Sequence, residues 1–142
     1  MLPNLKPSQN IAIIDKIAPQ SLAAGTVTTG WVSAGKFNWL VGIVQLGTPG
    51  GGGLLDAKLQ QAQDSSGTGV KDLLAMTQMS ALGETIIQAA EYSLDINNGF
   101  NYVRLSMTTS VATSPVAGLL LGLDEAYGDD SYNDIAGVAI AG

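Results

Sequence analysis

The 142-residue chain contains no cysteine and no histidine. Without cysteine it has no disulfide, no thiolate metal ligand and no cysteine nucleophile. Without histidine it lacks the usual general base near neutral pH and the commonest metal ligand in proteins. Most short motifs by which hydrolases and metalloproteins are recognised are therefore excluded.

Basic side chains are scarce as well. Six Lys and Arg residues stand against twelve Asp and Glu residues, and the formal net charge is −6. The imbalance lies in residues 77–142, where Arg104 is the single basic residue among eight carboxylates. Because nucleic-acid binding depends on neutralising phosphates with Lys and Arg, we expect no nucleic-acid partner.

Long apolar runs are missing. Residues 1–10 lack the apolar core of a secretion signal, and no segment reaches the roughly 18 apolar residues of a membrane span. The longest candidate, Val116–Leu123, is interrupted by Gly118 and Gly122 and predicts a buried strand. We therefore expect a soluble protein without a membrane partner.

The residues that are present are typical of an all-β domain. Eighteen glycines, 13% charged residues and many β-branched side chains favour short strands joined by turns. Seven or eight such strands, about ten residues apart, predict an antiparallel β-sandwich or jelly roll. We divide the chain into an extended N-terminal arm, residues 1–20, and a sandwich domain, residues 21–142. Within the arm, Ile11–Asp15 predicts a short strand that ends near Pro19.

One stretch, Phe37–Leu46, is apolar on both of its predicted faces. One face comprises Phe37, Trp39, Val41 and Ile43, and the other comprises Leu40, Val44 and Leu46. Such a strand is predicted to be central in its sheet, covered on both sides, with Trp39 in the core.

Two other stretches alternate between apolar and polar residues. In the first, the inner residues are Ala57, Leu59 and Gln61, and the outer residues are Lys58, Gln60 and Ala62. In the second, the inner residues are Val103, Leu105 and Met107, and the outer residues are Tyr102, Arg104 and Ser106. This period of two is the pattern of half-buried strands.

The remaining strands are predicted with less regular patterns. They are Thr26–Val32, an alternation of Tyr92, Leu94 and Ile96 before an Asn98-Gly99 turn, Val116–Leu123 and Ile135–Ala141. Val70–Gly83 fits either a helix or a short strand followed by a loop, and we favour the strand.

Two stretches approach known ligand-binding motifs. Gly30–Phe37 nearly matches a phosphate-binding loop, but Phe37 stands where a hydroxyl must reach magnesium, and a β-rich run follows instead of a helix. Asp124–Asp134 gathers five carboxylates, yet its spacing does not fit a helix-loop-helix calcium site. We favour a turn for the first and a solvated acidic loop for the second.

Catalysis has little support in the sequence. A hydrolase without histidine needs a Ser–Lys pair or two carboxylates, and no short motif places such groups together. We predict no enzyme activity, no catalytic residue, no cofactor and no metal site, and we assign no partner-binding residue. The two Trp and four Tyr residues could line a sugar-binding face.

The stretch DAKLQQAQDSSGTGVKDLL, Asp56–Leu74, followed by NYVRLSM, Asn101–Met107, resembles small head-decoration proteins of tailed bacteriophages, also called cement or capsid-stabilising proteins. In these proteins a strand like AKLQQA precedes a turn rich in Gly and Asp, and a strand like YVRL pairs in the same sheets. The resemblance extends over about Thr26–Leu123. The turn residues, with Asp64 and two glycines, are also those expected of a hairpin without chemistry.

The resemblance implies a structural virion protein that coats the outer surface of a phage head and stabilises the capsid lattice. The implied partners are the major capsid protein and further copies of this chain, with a homotrimer favoured. The expected location is the virion, after synthesis in the host cytoplasm. Two alternatives stay open: a carbohydrate- or receptor-binding sandwich carried on a virion, and a hydrolase with carboxylates brought together by the fold.

Overall fold

The structure, a computed structural model, describes residues 11–33, 37–80, 83–90 and 99–125. These residues form strands and turns without a helix, which confirms the all-β prediction. The strands are β1 (Ile11–Leu22), β2 (Gly25–Thr28), β3 (Val32–Ser33), β4 (Phe37–Leu46), β5 (Leu54–Ala62), β6 (Lys71–Ala75), β7 (Gly83–Ala90), β8 (Tyr102–Ser110) and β9 (Ser114–Glu125).

The strands pair antiparallel in two sheets. Sheet A has the order β1-β9-β4-β7, and sheet B has the order β2-β8-β5-β6, with β3 also paired to β8. When β2 and β3 are counted as one interrupted strand, each sheet has four strands. An eight-stranded sandwich of this kind is a jelly roll, as the sequence predicts.

Strand β1 is longer than predicted because the chain bulges instead of stopping. Its pairing with β9 shifts register twice, and Pro19 lies within the second shift. A proline is tolerated there because β1 is an edge strand, and because a residue in a bulge does not need to donate a hydrogen bond to the neighbouring strand. The core residues of β1 are Ala12, Ile14 and Ile17. Residues 11–20 therefore lie in strand β1 of sheet A. Residues 1–10 lie outside the description, and the division into an arm and a domain stays a prediction.

Other predicted elements have mixed outcomes. The favoured strand after Val70 is confirmed as β6. Strand β7 was not predicted, although its run of Thr85, Ile86 and Ile87 is β-branched, because the segment shows no clean alternation. The strands predicted around Tyr92–Ile96 and at Ile135–Ala141 lie outside the described residues. Gly99, which follows the first of these, has a positive φ of 80°.

The core lies between the two sheets and follows the predicted alternation in sheet B. Its fully buried members include Leu55 and Leu59 from β5 and Val103, Leu105 and Met107 from β8. Ala62, predicted to face outward, is buried at the end of β5. Burial of these side chains from both sheets supplies the main driving force for the sandwich.

The alternation of β4 is broken near its start. Phe37 is 4% exposed and lies with Leu40 in the core, whereas Trp39 is 41% exposed. The predictions that these two aromatic residues share a face and that Trp39 is a core residue are wrong. The cause lies on β9, where Gly122 pairs with Leu40. The Phe37 ring occupies the space over this glycine, since a Cβ at Gly122 would lie 2.5 Å from the ring.

A second glycine of β9 has a similar role. A Cβ at Gly118 would lie 3.1 Å from the Leu105 side chain and 3.4 Å from the Met107 sulfur, both on sheet B. At Gly118 and Gly122 the inward side of β9 has no side chain, and larger side chains from β4 and β8 fill the space. The sheets pack closely at these two positions because β9 has glycine there, beside the buried side chains of Val116 and Leu120.

We predict that Gly122→Ala destabilises the fold by about 1–3 kcal/mol, because the added methyl group overpacks the Phe37 ring. Replacing Phe37 with Leu in the same chain should recover part of the loss, which a double-mutant cycle in denaturant unfolding would measure. Gly51→Ala is the control, since a Cβ there meets no atom within 4 Å. Equal effects at the two glycines would contradict this packing.

Candidate functional site

The polar cluster after β5 forms a hairpin turn. The Gln63 N–H donates to the Thr68 carbonyl at 2.8 Å, and the Gly67 N–H donates to the Asp64 carbonyl at 3.1 Å. One carboxylate oxygen of Asp64 accepts the N–H groups of Ser66 at 2.9 Å and Thr68 at 3.1 Å. Hydrogen bonds from Thr68, first from its hydroxyl and then from its N–H, lower the pKa of Asp64 below 3.8. These residues turn the chain, as predicted.

Gly67 in this turn also positions an aromatic side chain. Its φ is +84°, and a Cβ there would lie 2.8 Å from the Trp31 ring nitrogen. Trp31 also contacts Arg104, whose guanidinium carbon lies 4.4 Å from the centre of the ring. The turn, the tryptophan and the arginine therefore form one continuous contact from the hairpin to strand β8.

The outer side of sheet B, called here the polar face, carries the side chains of Asp56, Lys58, Gln60, Asp72, Arg104, Ser106 and Thr108. The Arg104 Nε–H donates to the Gln60 side-chain oxygen at 3.0 Å. Gln60 in turn donates to Asp72 at 3.1 Å, and Lys58 forms an ion pair with Asp72 at 3.0 Å. Lys58, and after it Gln60, lowers the pKa of Asp72 by donating hydrogen bonds to its carboxylate.

This network fixes the orientation of Arg104. The guanidinium has five N–H donors. Nε–H binds Gln60, and the plane stacks on Trp31. Within the described part of the chain, the terminal nitrogens of Arg104 donate no hydrogen bond. They can therefore bind a carboxylate or carbonyl oxygen of another molecule with little loss of side-chain freedom.

A cavity of about 270 Å³ lies beside this network, with Asp56, Lys58, Ser106 and Thr108 among its lining residues. The carboxylate of Asp56 accepts a hydrogen bond from Gln78 at 2.9 Å. The cavity wall thus offers polar groups from β5 and β8 without a nearby aromatic ring. Trp31, which lies between β2 and β3, has one side of its ring covered by Arg104.

The outer side of sheet A, called here the apolar face, is different in character. Its side chains alternate with the buried residues of β1, β4 and β9, and they are Ile11, Ile13, Trp39, Val41, Ile43, Leu119, Leu121 and Leu123. The register places Leu121 between Ile13 and Val41. Trp39 and Leu119 are 41% and 36% exposed. The outer side of the described residues of β1, β4 and β9 is therefore largely apolar and partly exposed, with Lys16 beside Leu119 as a charged neighbour.

The two stretches that approach known ligand-binding motifs do not form a ligand site in the described residues. In the stretch Gly30–Phe37, the Gly30 N–H donates to the Asp15 carboxylate at 2.6 Å, and Val32–Ser33 is a strand, not the start of a helix. Residues 34–36 and almost all of the acidic stretch Asp124–Asp134 lie outside the described residues. Among the residues that the structure describes, no three Asp or Glu side chains are grouped to hold a metal ion.

In the described ranges, no helix is long and apolar enough to cross a membrane.

No protein-family model and no curated protein matches the chain. Among solved structures, a chain of infectious bursal disease virus, Gt strain, is similar over 82% of this chain and 32% of its own length, with 12% identity and a TM-score of 0.48. This chain thus spans about a third of that viral protein.

Two other solved structures show similarity at the same distant level. The C-terminal family 22 carbohydrate binding module of Clostridium thermocellum Xyn10B is matched over 84% of this chain and 96% of its own, with 8% identity and a TM-score of 0.40. A chain of broad bean stain virus is matched over 73% of this chain and 59% of its own length, with 12% identity and a TM-score of 0.35. Similarity this distant does not assign a family.

We predict that Asp64→Ala lowers the free energy of unfolding near neutral pH, because Ser66 and Thr68 lose their common acceptor. The folded-state pKa of Asp64 lies below 3.8. Its contribution is therefore present above 3.8 and lost as the pH falls through the lowered pKa. Asp64→Asn keeps an acceptor oxygen but does not titrate. Its free energy of unfolding should therefore stay above that of the alanine variant in acid. Urea unfolding as a function of pH measures both, and parallel pH curves for the wild type and Asp64→Asn would contradict the assignment.

Proposed function

We propose that this chain is a structural virion protein, a decoration protein that binds the outer surface of a phage head and stabilises the lattice of the major capsid protein. The observation that carries the proposal is the polar face. The segments that resemble decoration proteins, separated by about thirty residues in sequence, form adjacent strands there. Ala57–Ala62 pairs with Tyr102–Met107, and Gln60 lies opposite Arg104.

The polar face suits a contact with another protein. Its charged side chains are linked to one another, so that their order does not depend on a partner. Preorganised side chains lose less entropy when a partner binds. Arg104 provides oriented donors toward a carboxylate or carbonyl of the capsid protein, and its ring contact with Trp31 holds the guanidinium plane. The proposed shell contact is therefore centred on Arg104.

The architecture is compatible with this function. Jelly rolls occur in viral capsid and lectin domains, but a fold does not by itself assign a function. A lectin-like site would need an accessible aromatic ring beside precisely placed polar groups. On the polar face the ring of Trp31 is occupied by Arg104. This contact favours the decoration function over glycan binding on sheet B.

The test is to remove the protein from phage particles and add the purified chain back. Bare heads are expected to assemble but to rupture at a lower temperature, and re-addition should restore their heat resistance. The physical reason is linkage: a protein that binds only the intact shell stabilises it, by about 2.7 kcal/mol per site at a hundredfold excess over Kd. Repetition over the lattice increases the effect.

Variants of the chain locate the contact. Arg104→Gln should weaken binding to bare heads at least about tenfold, as expected for removal of an oriented charged contact, and Arg104→Lys should restore it only in part. Lys16→Gln removes the same charge on sheet A, where Lys16 pairs with Leu119, and should bind like the wild type. Wild-type protein that fails to bind bare heads but binds a host glycan would overturn the proposal in favour of the alternative.

A further inference from the structure

We propose that Val111, at the tip of the turn between β8 and β9, inserts into an apolar depression on the outer surface of the capsid shell, as a second contact beside Arg104. This role of Val111 rests on the proposed function. It deepens that function by naming an apolar anchor and the chemistry of the surface that receives it.

The backbone of Val111 has a conformation that valine rarely adopts. Its φ is +72°, and among the described residues it is the single residue other than glycine with a positive φ. The Ala112 N–H donates to the Ser110 carbonyl at 2.9 Å, so that Val111 is the central residue of a three-residue turn. A γ-turn with this sign of φ is rare and strained, and a β-branched side chain makes the conformation more unusual still. A glycine or an asparagine would form the same turn at a lower cost.

The glycine-rich connection between β4 and β5 holds this turn in place. The Gly50 N–H donates to the Thr113 carbonyl at 2.9 Å, two residues beyond the strained position. A Cβ at Gly52 would lie 3.2 Å from a methyl carbon of Val111, so this connection lies directly against the valine. The position of Val111 is therefore set by the chain itself and does not depend on a partner.

The side chain of Val111 is nevertheless mostly in solvent. It is 70% exposed, the largest value among the large hydrophobic residues that the structure describes, and Val70 follows with 45%. A valine at the tip thus costs backbone strain and gains little burial in return. A single exposed hydrophobic residue needs no explanation. One that is held in a strained conformation at the surface points to a binding role, because such strain is concentrated at functional sites.

The surroundings of Val111 indicate an uncharged, apolar partner surface. Residues 47–53, between β4 and β5, and residues 111–113, between β8 and β9, contain no Asp, Glu, Lys or Arg. A partner can therefore cover the tip without removing a charge of this chain from water, which would cost free energy. An apolar depression stabilises the contact most, because it buries the methyl groups of the valine.

The position of the tip allows Val111 and Arg104 to bind the same shell. Arg104 lies on β8, and Val111 directly follows Ser110, the last residue of that strand. Seven residues of extended chain span about 23 Å. A standard interface of about 800 Å² per partner is about 30 Å across, so that one contact can include both residues. The shell contact then combines an oriented cation with an apolar anchor.

Matched threonine variants test the side chain. Val111→Thr and Val70→Thr make the same change, one at the tip and one just before β6 on sheet B. Both variants keep a β-branched side chain and should melt within about 2 °C of the wild type. Val111→Thr should weaken binding to bare heads at least about fivefold, because a hydroxyl group takes the place of a methyl group in an apolar contact. Val70→Thr should bind like the wild type when bound and free protein are measured after sedimentation of the heads.

An asparagine at the tip tests the strain. Val111→Asn should raise the melting temperature by about 2–5 °C, since asparagine accepts a positive φ more readily than valine. The same variant should weaken binding to bare heads at least about tenfold, because it places an amide in the apolar contact. A residue with only a structural role would not show this opposition of stability and binding.

Two results would overturn the role of Val111 and leave the proposed function intact. The first is a Val111→Asn variant that is no more stable than the wild type. The second is a Val111→Thr variant that binds bare heads as tightly as the wild type does. A wild-type chain that does not bind bare heads would contradict the proposed function and the anchor together.

Discussion

The packing of large side chains against the two inward glycines of β9 is the contact on which the rest of the sandwich depends. Gly122 accepts the ring of Phe37 from the neighbouring strand, and Gly118 accepts Leu105 and Met107 from the other sheet. Close packing of this kind fixes both the spacing of the sheets and the side to which each residue of β4 points. The alternation of β4 is broken between Phe37 and Leu40, which both lie in the core, and Trp39, next to Leu40, faces outward.

The core therefore separates two outer surfaces with different chemistry. On sheet B, the strands that alternate cleanly leave charged and amide side chains outside, and these bind one another in a chain from Trp31 through Arg104 and Gln60 to Asp72. On sheet A, the strands are apolar on both sides, and hydrophobic side chains remain outside. A polar surface of ordered side chains suits a reversible contact with another protein.

The hairpin after β5 connects local sequence to the polar face. Its carboxylate, amides and glycines resemble those of a ligand-binding loop. Their hydrogen bonds, however, join residues of the turn to one another. The positive φ of Gly67 lets the chain approach the Trp31 ring closely, and the ring supports Arg104. The polar residues of this turn therefore have a structural role: they hold the turn against Trp31, and Trp31 holds Arg104.

Sequence alone was sufficient for the features that depend on neighbours along the chain. The all-β class, the hairpin at Asp64, the inner residues of β5 and β8, and the outward position of Arg104 follow from a period of two and from turn chemistry. The exposure of Trp39, the continuation of β1 past Pro19, the strand order of the jelly roll and the stacking of Trp31 on Arg104 could not be predicted in this way. Each depends on a residue distant in sequence, such as Gly122 opposite β4 or β9 beside β1, and only the tertiary structure brings those partners together.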